Sequence, residues 1–507
     1  MELTNIEQSL VDHVVDGTVL DLASGIEDEA IDENAMKNWG PEHDISAQVL
    51  RDILRGRQLP EVGPDPHGLQ LRGARIIGRI DLKDVTTPIR LRLLSCHLPD
   101  GLDGRDCHIP GLELSGSVVS VEGEDCKRGA VRILGAHING QLSMSGAALI
   151  NKAGSALDAD GATIDGDVFL NNKFTAIGHG DSGTIRLLGA HITGQLVMRH
   201  ATLTNKAGSA LTADGATIDG GMFLDNEFTA IGHGRQAAVR LLGTHITGQL
   251  IMRRATLTNQ VGSALTADRT TIDGDVFLDD KFTAIGHGRQ GAVRLANMHI
   301  TGRLVVSDAS VDLATAGMGW VVDGLIYNGY PTATLKTWLS LLQRGTPEYK
   351  PQPYQQLAAV ARAAGHDSDA RRALMKQRDD QVIRGKLTPP LRAWLRFTKL
   401  TLGYGYQPWR ALIGVAGVFL IAVMTTMYVP GAVANTATAT GCTWVEKFQI
   451  SVDMAIPLVS TSTGTTCHVT STSGGQFVAW VGVFLTLAGW ALTALFAAGF
   501  TRAIRRP

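Results

Sequence analysis

Through the middle of this chain, apolar residues fall at every second position in short runs that glycine interrupts. In Ile192-Thr193-Gly194-Gln195-Leu196-Val197-Met198 the alternation is that of a strand with one buried face. The run belongs to a longer phrase, TIRLLGAHITGQLVM at 184–198, which returns as AVRLLGTHITGQLIM at 238–252 and more loosely as AVRILGAHINGQLSM at 130–144. The copies are offset by 54 residues, and GAHITGQLVM at 189–198 matches GATIDGGMFL at 215–224, so the unit is about half of 54. No helical spacing is sustained over ten residues within the repeat, and the LxxLxL asparagine ladder of leucine-rich repeats is missing. The pattern predicts a mainly β protein, a right-handed parallel β-helix with coils of about 27 residues. Stacked ~4.8 Å apart, the coils bury a face that no single coil could bury alone.

Degenerate copies, GARIIGRIDL at 73–82, GLELSGS at 111–117 and HITGRLVV at 299–306, place the solenoid at 68–325. Residues 1–67, with IEQSLVDHVVDG and ISAQVLRDILRG as amphipathic helices, are expected to cap its first coil. Residues 326–390 predict a helical connector that caps the other end. TLKTWLSLLQRG at 334–345 has helical spacing, and 351–381 forms a helix–turn–helix broken at Gly365-His366-Asp367.

The remaining 391–507 is expected to be a membrane domain. Segments 411–429 and 477–500 contain no charge and are long enough to cross a bilayer as a two-helix transmembrane hairpin. Arg392, Arg396, Lys399 and Arg410 precede the first, and Arg502, Arg505 and Arg506 follow the second, against Lys447 alone between them. Both termini are therefore expected on the cytoplasmic side of a plasma (inner) membrane. Glu2, Glu7, Asp12 and Asp16, with no basic lead, agree with a cytosolic N-terminus. The outer loop holds Cys442 and Cys467, a candidate disulfide in an oxidising compartment, while Cys96, Cys107 and Cys126 should stay reduced. Segment 444–459 is amphipathic and too short to span, which suits a helix in the interface or re-entering the membrane. In the second case Ser460, Thr461 and Thr463 would line an oligomeric pore, with Asp453 biasing it toward cations.

Charge and chemistry narrow the picture further. A formal net charge of −2 offers no electrostatic case for nucleic acid. His137, His191, His245 and His299 are equivalent, as are His179, His233 and His287 in GHG turns. Two coils apart, with Thr163 and Thr217 between, the first set cannot share one ion and is expected to form an outward polar ladder. Asp160, Asp214 and Asp268 are expected to form turns. Cys96-His97 and Cys107-His108 match no zinc-finger spacing, and neighbours on a strand point to opposite faces, so buried structural thiols are expected. No GxGxxG follows a strand and opens a helix, no CxxC or CxxCH is present, and no catalytic, cofactor or metal residue is assigned.

WGPEHDISAQVLRDILRG, GLQLRGARIIGRIDL, the GAxIxGxL coils, PYQQLAAVARAAG and GYGYQPWRA together resemble bacterial, largely actinobacterial, membrane proteins labelled "membrane-associated oxidoreductase". FQISVDMAIPLV with LAGWALTALFAAGFTRAIRR is similar to the channel-like hairpin of some pentapeptide-repeat membrane proteins, although the pentapeptides themselves are missing. The first likeness implies redox activity, and the second a pore. The residues themselves point to a non-enzymatic, membrane-anchored β-helix scaffold, in contact with the lipid bilayer and a protein partner on the cytoplasmic face.

Overall fold

Each repeat folds into a coil with four sides. In one coil of the computed structural model the sides are Leu157–Asp158, Thr163–Ile164, Val168–Phe169 and Thr175–Gly178, and the chain enters the next coil at Ile185–Arg186. Successive coils pair in parallel, Leu157 with Ile185 and Ile185 with Leu211, so the register advances alternately by 28 and 26 residues. The result is a parallel β-solenoid of about ten turns, two of whose sheets have ten strands each. The structure describes residues 3–26, 33–122, 129–288, 291–306, 319–435, 442–456 and 467–504. Cys126 lies outside them. The chain divides into two units, Met1–Ala370 and Arg371–Pro507.

The alternation across 192–198 belongs to two strands, not one: His191–Ile192 and Leu196–Val197 meet at a corner around Gly194. That corner explains the invariant glycine of the HITG and TIDG phrases. A Cβ on Gly220 would lie 2.6 Å from the Gly194 carbonyl oxygen, and one on Gly274 2.6 Å from that of Gly248. Backbone stacks on backbone here, with no room for a methyl group. A second corner needs glycine for a different reason. Gly161, Gly189, Gly215 and Gly243 adopt φ of 61–65° with open space around the missing side chain, and Arg269 takes the same conformation at φ 59° in the next copy.

Inside the coils, Leu157, Ile164, Val168 and Leu170 are fully buried, as are their counterparts above and below. The fourth side alternates in size. Leu149, Ala176, Leu203, Ala230, Leu257 and Ala284 stack in register. Two residues earlier stand Ala147, Phe174, Ala201, Phe228, Ala255 and Phe282, all buried. Each Phe–Ala layer thus lies against an Ala–Leu layer, and large side chains fill the space that small ones leave.

Among the described residues the N-terminal segment contains the α-helices α1 (Asn5–Asp16), α2 (Glu33–Lys37) and α3 (Ala47–Leu54). Thr4 and Glu7 close α1 with a reciprocal capping box, and Gly17 ends it in the left-handed conformation. Read as helical from sequence, this segment also contributes strands: Leu20–Asp21 pairs with Leu71 and Arg72, and Asp44–Ser46 with Arg75–Ile77. After the last paired strand of the solenoid, Ile326–Asn328, come α4 (Leu335–Ser340), a π-helical turn at Leu341–Gly345, α5 (Gln352–Ala363) and α6 (Asp367–Arg384).

The second unit contains α7 (Pro389–Leu402), α8 (Trp409–Tyr428), α9 (Trp444–Ala455) and α10 (Ser473–Ile504). Gly403, Tyr404 and Gly405, with φ of 54°, 60° and 88°, turn the chain between α7 and α8. Both α8 and α10 are long and apolar enough to cross a membrane.

Two substitutions separate the two glycine requirements. Gly220→Ala is expected to lower stability by about 1–3 kcal/mol through overpacking. Arg269→Gly should raise it by about 1 kcal/mol by relieving a left-handed side chain. Opposite shifts in the thermal midpoint of the detergent-solubilised chain check both; shifts of the same sign would contradict the assignment.

Candidate binding face and the groups around it

On the third side of the coils a row of apolar residues points outward. Phe169, Val197, Phe223, Ile251, Phe277 and Val305 stand directly above one another in the ladder. The aromatic and isoleucine members are half-buried, not enclosed. Six rungs at strand spacing make a stripe roughly 24 Å long. Arg199 lies over the Phe223 ring at 4.7 Å and Arg253 over the Phe277 ring at 4.3 Å. Each arginine is held by an aspartate of the next coil, Asp225 and Asp279, at 2.9 Å. At one end the stripe opens into a cleft of about 550 Å³, lined among others by Arg253, Phe277, Arg303 and Val305. The two valines of the row, Val197 and Val305, are buried, so the accessible part of the stripe is its aromatic and isoleucine members with the arginines over them. The sequence signal was present in VFL, LVM, MFL and LIM, where a third apolar residue breaks the alternation.

On the second side the repeated histidines form a ladder with threonine: His137, Thr163, His191, Thr217, His245, Thr271 and His299 pair rung by rung. Nε2 of His137, His191 and His245 donates to the carboxylates of Asp165, Asp219 and Asp273 at 2.9, 2.9 and 3.0 Å. Each aspartate comes from the TIDG phrase of the following coil. With both partners roughly 40% exposed, these pairs contribute little to stability. Their regular effect is to tie each histidine-bearing coil to the coil that follows it. In the GHG turns, Nδ1 of His179 and His233 donates to the carbonyls of Asn151 and Asn205 at 3.1 and 2.6 Å.

Those asparagines are a second ladder that sequence reasoning missed. Asn151, Asn205 and Asn259 are buried. Each Oδ1 accepts two backbone N–H groups of its own turn, and each Nδ2 donates to a carbonyl. Asp160, Asp214 and Asp268 do more than turn the chain. Each accepts the backbone N–H of the next coil, from Leu188, Leu242 and Ala296, and pairs with Arg186, Arg240 and Arg294.

On the first side one rung departs from the repeat. Arg132, Asp158 and Arg186 are consecutive rungs, whereas the copies of Asp158 are Thr212 and Thr266. Arg186 Nε lies 3.7 Å from Asp158 Oδ1. These two atoms and Arg132 Nε are buried without a hydrogen-bond partner. Asp158 and Arg186 line a small cleft of about 190 Å³ together with Ser155 and Ser182. Burial pushes the Asp158 carboxyl above its ordinary range despite the neighbouring arginines. The difference ALDADG against ALTADG was visible in the sequence as a break between otherwise matching coils.

Two cysteines among the described residues of the solenoid point inward. Cys96 and Cys107 are buried, and burial pushes their thiols up to about 12 and about 11, so neither is an effective thiolate near neutral pH. His108 faces outward, its ring 5.5 Å from that of His137.

In the second unit Cys442 and Cys467 are joined as a disulfide, next to the antiparallel pair Val433–Asn435 and Cys467–Val469. They and Glu446 are the one set of three metal-ligating residue types in close reach among the described residues, and the disulfide engages two of the three. The Glu446 carboxylate accepts from the Thr443 backbone in a capping box. Asp453 sits half-buried in the last turn of α9. Ser460, Thr461 and Thr463 lie outside the described residues. Around α9, Ala455 packs with Val418 and Ala422 of α8 and Leu485 of α10, and the Thr426 and Ser451 hydroxyls meet at 2.7 Å.

No family model, curated protein or solved structure matches the chain.

The raised carboxyl of Asp158 has a definite sign. The folded chain binds that proton more tightly than the unfolded chain, so the ionised group opposes folding and its penalty fades as pH falls through the carboxylate range. Asp158→Thr is expected to raise the thermal midpoint at pH 7, by an amount equivalent to about 1 kcal/mol, and to lose that advantage in acid. A variant less stable than the parent at pH 7 would contradict this account.

Proposed function

We propose that the chain is a non-enzymatic scaffold, a right-handed β-helix with helical segments capping both ends, held at a plasma membrane by α8 and α10. The apolar stripe on the third side is its docking surface for a protein partner. The observation that carries the anchoring half is where the two long helices leave their apolar side chains. Leu420, Met424, Tyr428, Trp480, Phe484 and Leu487 are all exposed, whereas the core helix of a soluble protein would bury them. A bilayer is the solvent that suits them. The basic flanks favour cytoplasmic termini, which would put the solenoid in the cytosol and the Cys442–Cys467 bridge outside.

A specific contact favours a second reading. Ala455, at the C-terminal end of α9, packs against Val418 near the middle of α8. A short helix that begins in the outer loop and ends beside the midpoint of a span re-enters the membrane, and several copies could then surround a pore with Asp453 close to its axis. Planar-bilayer recordings separate the two: steps that change on Asp453→Ala favour the pore.

For the scaffold, alkaline carbonate extraction should leave the full chain in the membrane fraction. Phe223→Ser with Phe277→Ser should keep the thermal midpoint within a few degrees yet abolish recovery of the protein that copurifies with the unaltered chain. Release by carbonate would overturn the anchor. A copurifying protein unaffected by the double substitution would overturn the docking surface.

A further inference from the structure

Between the solenoid and the first span, α7 carries a ridge that no protein covers among the described residues. Leu391, Trp394, Phe397 and Leu400 follow at three-residue intervals, Trp394 being 56% and Leu400 77% exposed. The Trp394 and Phe397 rings stack at 5.7 Å. Leu395 and Thr398 are half-buried and Leu402 is buried, so the ridge lies on the side away from the rest of the unit. The helix is also held in place: Asp379 of α6 accepts from the Tyr404 hydroxyl at 2.9 Å and pairs with Lys399 at 2.8 Å.

Charge points to what covers the ridge. From Gln381 to Val445 the chain has six basic residues and no acidic one; Arg384 and Lys399 pair with Asp380 and Asp379 just before that stretch, and Lys386, Arg392, Arg396 and Arg410 make up the rest. Arg396 is exposed beside the ridge. A protein partner would need a matching acidic surface, whereas an anionic leaflet supplies negative headgroups directly above an apolar layer. Position agrees. Only six residues, 403–408, separate α7 from α8. Even fully extended they reach about 20 Å, and the left-handed turn at Gly403–Gly405 shortens that reach. The end of α7 therefore stays near the membrane surface once α8 spans it.

We infer that α7 lies in the plane of the bilayer, with its ridge among the acyl chains and Arg396 against anionic headgroups. The inference rests on the reading of α8 and α10 as spans. It turns a two-point anchor into a platform that limits how the helix before the first span can tilt.

The test uses the full chain in bilayers of phosphatidylcholine with phosphatidylglycerol. Photoreactive benzoylphenylalanine replaces Trp394, Leu420 on α8, or Arg269 in the solenoid, and adducts are read by mass spectrometry. Lipid adducts at 394 and 420 but not at 269 are expected. Those at 394 should be enriched about fivefold in phosphatidylglycerol over its share of the bilayer, as one basic side chain near the surface would give. Adducts at 420 with none at 394 would overturn the in-plane helix and leave the anchor standing. Loss of adducts at both would overturn the anchor as well. Adducts at 394 to a second copy or to another protein would show that the ridge is a protein interface, and unenriched lipid adducts would overturn the electrostatic part.

Discussion

Everything in the first unit depends on parallel, in-register stacking of one coil on the next. A coil of short strands has no interior of its own; its inward side chains become a core only when identical positions lie above and below. The glycine corner sets how closely this can happen, since the Gly194 and Gly220 backbones touch where any side chain would hold them apart. Once the backbones meet there, the remaining ladders follow. Asn205 can satisfy its own turn, Asp214 can reach the next coil, and His191 can reach Asp219.

Stacking also has a consequence for the surface. Because every outward position is repeated at a fixed spacing, a single residue type in the repeat becomes a line on the solenoid. Phe169, Phe223 and Phe277 become a hydrophobic stripe in this way, and His137, His191 and His245 a row of imidazole–carboxylate pairs. Such a surface suits recognition of an extended partner better than chemistry, which needs different groups converging on one point. Asp158, between two arginines, is the clearest departure from that uniformity on the first side.

The coil period, the parallel solenoid and the two long apolar helices were legible in the sequence, because hydrophobic spacing and segment length report them directly. The corners were less so. The alternation through 192–198 continues across a turn, and nothing in its pattern separates one strand from two. The outward stripe was hidden because VFL reads equally well as a strand buried on both faces, and only the register shows that Phe169 faces away from the core. Leu20–Asp21 and Asp44–Ser46 are too short to carry a strand pattern of their own, and they exist because the first coil offers them an edge. The helix α7 has apolar residues every third position, mixed with arginine and lysine, which is a weaker signal than the charge-free span that follows.

Alternate coils differ systematically: one kind brings phenylalanine with alanine, histidine's aspartate and the glycine of the fourth side, and the other alanine with leucine, the histidine and the buried asparagine. From residue 130 to 300 the solenoid therefore has parity, whereas just before it His108 and His137 are adjacent rungs. Loss of one turn would set like against like, doubling bulk at one level and leaving imidazoles without their acids, whereas loss or gain of two turns restores every complement. Within that stretch a change of length by two turns keeps every complement, and the close similarity of 184–237 to 238–291 fits such a step.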